Sequence, residues 1–298
     1  RHRLADLGGG ERAPGQVVGW SKLPSDTRHA FSYAGGAMTD LGTLPAGGHS
    51  EATDINDDGV ICGTSDVGGN NQRAFRYANN QMEDIGAIAP WVNASADGIN
   101  RAGQIVGNSG GAAYLWENGQ MRQLPTPGDS AGAVAINRHG MVCGWCWLTT
   151  AAADHAFRGT RNSAVDIGLG HGTSSRALDI NDSGHVVGFY TEGQQRKAFI
   201  FRNGTMHDIG TLGGNQGEAH GINNRGVVVG LDFAVTQTGH AVHAFVWDGT
   251  MHDLNDLLDQ QSQGWTLARA FAISHANLGV NHGRFPVGQY RPFLAQPH

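Results

Sequence analysis

Apolar residues along the chain fall in short runs of four to seven, many alternating with polar ones, and Asn, Asp or Gly cuts off each run. In residues 50–86 the runs are SEATDIN, VICGTS, RAFRYA and MEDIG, separated by DDG, a variable loop and NNQ. A period of two bounded by such turn formers predicts β-strands joined by hairpins, four to a unit.

The unit recurs. EATDINDDGVICG returns as SADGINRAGQIVG, GAVAINRHGMVCG, RALDINDSGHVVG and EAHGINNRGVVVG, anchored on Asn56, Asn100, Asn137, Asn181 and Asn223 at intervals of 44, 37, 44 and 42 residues. Four antiparallel strands repeated at that spacing predict the blades of a β-propeller. Strands of the type Asp-Leu-Gly or Asp-Ile-Gly number seven, as do strands of the type His-Ala-Phe, so the expected fold is an all-β, seven-bladed propeller in a single domain. The units run over residues 9–42, 43–86, 87–124, 125–168, 169–210, 211–254 and 255–298, with residues 1–8 completing the last and closing the ring. That interlock would remove two exposed sheet edges. The first unit is short: only 7 residues separate Gly8 from Gly15, against 17 between Gly42 and Gly59, so it lacks the length for an inner strand.

The stretch Asp54-x-Asn56-x-Asp58-Gly59 also resembles a calcium loop, but the other copies lack Asp54 and Asp58 together and no Glu stands at the twelfth position, so a structural turn is expected and no metal or other cofactor. Three cysteines cannot pair completely. Cys62 and Cys143 occupy a slot filled elsewhere by Val, and Cys143 and Cys146 of CGWC, three apart on a strand, should point to opposite faces, which disfavours a dithiol site. A net charge of −6 with only two lysines, Lys22 and Lys197, excludes a nucleic-acid stripe, and no apolar run reaches the length of a membrane span. The chain opens on RHRLADLGG, which is no signal peptide, and a monomer is expected.

The motifs HAF, DIGTLGG and GINNRGVVVG give the chain a resemblance to the HAF-repeat proteins, bacterial extracellular repeat proteins, over almost its whole length. The resemblance implies a secreted or periplasmic setting and brings no catalytic motif with it.

Function is therefore sought where the copies differ. The hairpin turns NDDG, NRAG, NRHG, NDSG and NNRG lie on one face; the long loops lie on the other, where a ligand is expected. Four positions before the anchor Ile the copies read Glu51, Ser95, Gly132, Arg176, Glu218 and Arg269; two before, Thr53, Asp97, Val134, Leu178, His220 and Phe271; between them always Ala. The Glu, Arg and His side chains would either bind a polar or zwitterionic ligand at the channel mouth or join the blades as salt bridges. Aromatic deviations (Trp20, Trp145, Trp147, Phe189, Tyr190, with Trp91 in a loop) would either stack on a ligand or pack between loops. His29, His155 and His243 share one repeat position and should serve the fold, whereas His49, His171 and His240 fall outside it and join the ligand candidates. Three functions fit: a module binding a glycan, peptide or small polar ligand; a metal-independent lyase, isomerase, cyclase or hydrolase with Glu51 or Glu218 as base, His220 as acid and Arg176 or Arg269 as anion clamp; and a structural or cell-surface interaction module.

Overall fold

A computed structural model describes residues 16–69, 71–168, 172–236, 239–258, 264–273, 279–284 and 290–295. These form seven antiparallel sheets, each a meander in which every strand pairs with the next in sequence. Five sheets have four strands; in the second these are Ser50–Ile55, Ile61–Asp66, Gln72–Ala78 and Gln81–Gly86, which match the four runs read from the sequence. The first sheet (Val17–Lys22, Arg28–Ala34, Ala37–Gly42) and the last (Thr266–Ile273, Gly279–Arg284, Tyr290–Ala295) have three. The expected shortfall of the first unit and the closing strand both fall on residues 1–15, outside the described residues. Among the described residues the only helical turn is Leu254–Leu257, and no helix is long and apolar enough to cross a membrane.

The core lies between neighbouring sheets rather than within one. Val18, Ala30 and Leu41 of the first sheet pack with Ala52, Ile55, Ile61 and Phe75 of the second, and Val106 and Leu115 of the third with Ala133, Val142 and Phe157 of the fourth. The phenylalanines of the His-Ala-Phe slot (Phe75, Phe157, Phe199, Phe245) are fully buried. Each contributes about 1.5–3 kcal/mol by leaving water, which makes this strand the anchor of its unit. In the three units with His ahead of Ala-Phe, that histidine is held by the Asp of the following strand: Nδ1 of His29 lies 3.0 Å from Asp40, of His155 2.8 Å from Asp166, and of His243 2.6 Å from Asp253. Cys143 and Cys146 face opposite sides of their sheet, in different core clusters, and burial pushes the Cys146 thiol up to about 12.

Two devices join the units on the hairpin side. The anchor asparagines are 2–4% exposed, and each caps its own turn: Asn137 Oδ1 accepts from His139 N at 3.0 Å and Met141 N at 2.9 Å. Its Nδ2 donates forward, to the main-chain oxygen of Asn181 at 3.0 Å. The same link runs from Asn56 to Asn100, from Asn100 to Asn137 and from Asn181 to Asn223 at 3.1 Å, so one ladder of side-chain amides crosses five consecutive units. The carboxylates of Asp54 and Asp179 do likewise, taking the N–H of the next residue at 2.7 Å and that of the following unit's Ile99 or Ile222 at 2.8 Å. The calcium-like stretch thus spends its buried Asp and Asn on backbone donors, as a structural turn requires.

Candidate ligand site at the channel mouth

The channel follows from an irregularity that six inner strands share. Pairing shifts by one residue between Ala52 and Asp54, Ala96 and Gly98, Ala133 and Ala135, Ala177 and Asp179, Ala219 and Gly221, and Ala270 and Ala272. The residue left over is the bulge: Thr53, Asp97, Val134, Leu178, His220 or Phe271. A bulge re-aims the side chain it expels from the ladder, and all six line one cavity of about 180 Å³. In five of the six, the Ala before the bulge pairs with a Gly of the partner strand; in the sixth, Ala270 pairs with Asn281. A Cβ added at Gly63, Gly107, Gly144, Gly188 or Gly230 would stand 2.0–2.1 Å from a main-chain oxygen of the inner strand.

The wall is therefore different on every side. Thr53 hydrogen-bonds to Ala96 O at 2.7 Å, Asp97 accepts from Ser95 Oγ at 3.2 Å, and Val134 and Leu178 form an apolar arc. His220 meets Phe271 edge-on, with ring centroids 5.1 Å apart.

Above the wall, on the long-loop side, charges and rings interleave across three units. Trp145 lies over Gly132, and the Arg176 guanidinium stacks on it at 4.8 Å while its Nε donates to Asp154 at 2.9 Å. Arg196 stacks on Phe189 at 4.4 Å and pairs with Glu218, whose other oxygen lies 3.0 Å from His220 Nε2, off the direction of a well-aligned hydrogen bond. The two ion pairs occupy the same repeat positions with the signs reversed, acid to Arg in one junction and Arg to acid in the next. Burial alone would raise the Glu218 carboxyl, but His220 and Arg196 outweigh it and hold it at about 2.

A depressed acid stabilises the fold only while ionised. From an unfolded value of 4.5, the contribution of Glu218, on the order of 2–3 kcal/mol, is complete above about pH 4.5 and fades as pH falls toward 2. The urea midpoint of the parent should exceed that of Glu218→Gln most at neutral pH, with the gap closing in acid; a gap independent of pH would contradict the ion-pair account.

The remaining sequence candidates are placed as follows. Glu51 is half-buried and Arg269 exposed, and neither makes an ion pair among the described residues. Trp20 is half-buried under Arg28, 5.1 Å away, and His49 is exposed, its Nδ1 accepting from Arg28 N at 3.0 Å. Tyr190 departs from the expectation: it is 5% exposed, its hydroxyl donates to Asp208 at 3.1 Å, and it belongs to the core rather than the rim. Strand alternation turns it inward while Phe189 faces the mouth. Trp147 and Trp91 are 42% and 82% exposed. His171 and the side chain of His240 lie outside the described residues.

Reasoning from the loops missed the other end of the channel. The residues just after the anchors, Arg101, Arg138, Asp182 and Asn224, line it there, with Arg138 paired to Asp182 at 2.6 Å and Asp182 N donating to Asn224 at 2.9 Å. Burial opposes ionisation of Asp182, but Arg138 and Asn224 outweigh it and lower its acid. The differing residues after a constant Asn were the available signal.

No curated protein matches the chain. Solved structures that share its fold include a Mycobacterium tuberculosis puromycin-hydrolyzing peptidase, 12% identical with a TM-score of 0.61 over 99% of this chain and 52% of that one. The β-propeller domain of the Trilobed protease from Pyrococcus furiosus is 14% identical, with a TM-score of 0.59 over 82% of this chain and 81% of that one. TolB from Acinetobacter baumannii is 11% identical, with a TM-score of 0.51 over 94% and 63%. At such identities the likeness is one of fold, a β-propeller, and the chain spans about half the length of the first of these proteins. Within the sequence itself, residues 91–271 match the model for the protein of unknown function DUF3466, more than half of the chain, and the protein belongs to that family.

Proposed function

We propose that this chain is a seven-bladed recognition propeller, closed by its N-terminal strand, that works in a secreted or periplasmic setting and holds one glycan, peptide or small polar ligand at the long-loop mouth of its channel. Seven sheets and the resemblance to HAF-repeat proteins support the first part of the reading. The observation that carries the binding role is the unequal wall: the six bulges present Thr53, Asp97, Val134, Leu178, His220 and Phe271, a set in which no side chain is repeated. An array with repeated sites would repeat its wall; an asymmetric cavity orients a single ligand.

Glu51 and Arg269 are the charged groups left for that ligand, since Arg176 and Glu218 are engaged by Asp154 and Arg196. Glu218 makes a poor general base, because a carboxyl held at about 2 by His220 and Arg196 takes up a proton weakly near neutral pH. Thermal-shift screening with pooled sugars, peptides and metabolites should find a compound that raises the melting temperature of the parent but not of Glu51→Gln/Arg269→Ala, and that is recovered unchanged. Equal shifts in both proteins would remove the site from the mouth, and a chemically altered compound would make the protein an enzyme.

A further inference from the structure

The face that the fourth unit turns toward the fifth carries a cluster of aromatic and charged side chains with hydrogen-bonding atoms to spare. In strand Val142–Leu148, Cys146 and Leu148 pack toward the third unit, so alternation turns Trp145 and Trp147 toward the fifth. Asp154, in strand Ala153–Gly159, is the register partner of Trp147 and leaves the sheet on the same side, with the two Cβ atoms about 4.5–5.5 Å apart. Arg176 completes the cluster from the fifth unit: its guanidinium lies over the Trp145 ring at 4.8 Å and bonds to Asp154. Trp147 is 42% exposed, so its ring stands open beside the ion pair.

The ion pair is one-sided. A fork-to-fork pair of Arg and carboxylate spends both oxygens, but here Nε, at 2.9 Å, and Nη2 both donate to Asp154 Oδ2. Asp154 Oδ1 and Arg176 Nη1 have no partner among the described residues, although the Asp154 side chain is only 18% exposed. The next junction spends its atoms differently: Glu218 gives one oxygen to Arg196 and turns the other to His220, 3.0 Å away. Of these two ion-paired junctions, only the one between the fourth and fifth units keeps an unused carboxylate acceptor beside an open indole.

We propose that Trp147, Asp154 and Arg176 form a subsite for a neutral sugar unit at the junction of the fourth and fifth units. The C–H face of a pyranose stacks on the Trp147 indole while its hydroxyls meet the ion pair, one donating to Asp154 Oδ1 and another accepting from Arg176 Nη1. The pair sets the charge of the ligand. An anion drawn to the guanidinium meets the carboxylate, an ammonium meets the reverse, and a hydroxyl suits both because it donates and accepts. Arg176 is already clamped between Trp145 and Asp154, so little order is lost on binding. The subsite uses none of the six bulge residues and neither Glu51 nor Arg269, so it goes beyond the channel ligand and stands without it.

Fluorescence titration and saturation-transfer NMR of the intact protein with maltotetraose, mannotetraose and galactotetraose test it, with tetragalacturonate and tetraglucosamine as charged counterparts. At least one neutral tetrasaccharide should bind the parent, and each charged one about tenfold or more weakly. Trp147→Ala and Asp154→Asn should each lose about tenfold or more in affinity, Trp147→Phe should recover part of it, and Glu51→Gln/Arg269→Ala should bind like the parent. Trp147 is exposed enough for its loss to leave the fold intact, which an unchanged melting temperature would verify. Binding of none of the three neutral sugars, equal binding by Trp147→Ala or by Asp154→Asn, or tighter binding of a charged tetramer overturns the subsite. Loss only in the channel variant overturns it too, while assigning the sugar to the channel mouth.

Discussion

Gly188→Ala should cost the protein most of its stability. The added Cβ would lie 2.0 Å from Arg176 O and 3.0 Å from Ala177 Cα, both main-chain atoms of the paired inner strand, so no rotamer change relieves the clash. Relief requires the two strands to part where the bulge of Leu178 already interrupts their ladder. Steric conflicts of this kind fall in the tail of mutational effects, at about 4 kcal/mol or more, which for a chain of this size lowers the melting temperature by about 10 °C or leaves the protein insoluble. Gly48→Ala, where a Cβ meets nothing within 4 Å, is the control and should melt with the parent. Calorimetry or circular dichroism decides; a Gly188→Ala protein melting within a few degrees of the parent would mean that the bulged pair is pliable.

Asn137→Ala should be nearly as damaging, by a different route. The side chain is 4% exposed and makes three hydrogen bonds, two capping its own turn and one to Asn181 O. Removing it leaves two N–H groups and a carbonyl without partners in a place water reaches poorly, at about 1–3 kcal/mol for each group fully orphaned. A loss of about 3–4 kcal/mol in urea unfolding is expected. Asn137→Asp separates the two roles, since it keeps the oxygen that caps the turn but sets a carboxylate against Asn181 O. If the forward link matters, Asp should recover less than half of the loss; full recovery would reduce the asparagine to a turn cap.

The strand pattern was plain in the sequence because turn formers interrupt it at every hairpin, and the four runs in residues 50–86 became four strands. The opposed faces of Cys143 and Cys146 likewise followed from period-two geometry alone. The site was legible only in part. Aligning the copies picked out the six channel residues, yet nothing in Ala-x-x-Ile announces a bulge, since the register shift is set by pairing with a strand further along the chain. Nor could the sequence separate ligand groups from salt bridges, because Arg176 and Glu218 find their partners, Asp154 and Arg196, in neighbouring units. Tyr190 was misjudged for want of the same alternation that placed the cysteines: Ser65, Ser109 and Cys146 fill its slot in other copies, and all are buried.

The asparagine ladder gives the array a direction. All four links among the described residues reach forward, so the units of Asn100, Asn137 and Asn181 each carry one donor for the successor and one acceptor for the predecessor. A copy duplicated or deleted as a whole brings or removes both together, and the neighbours on either side reconnect without an orphaned group. Growth by whole units is thereby chemically neutral at the seam, while a cut inside a turn severs two units at once. The joint itself is what allows a chain of this kind to lengthen by duplication while each copy's loops and bulges diverge.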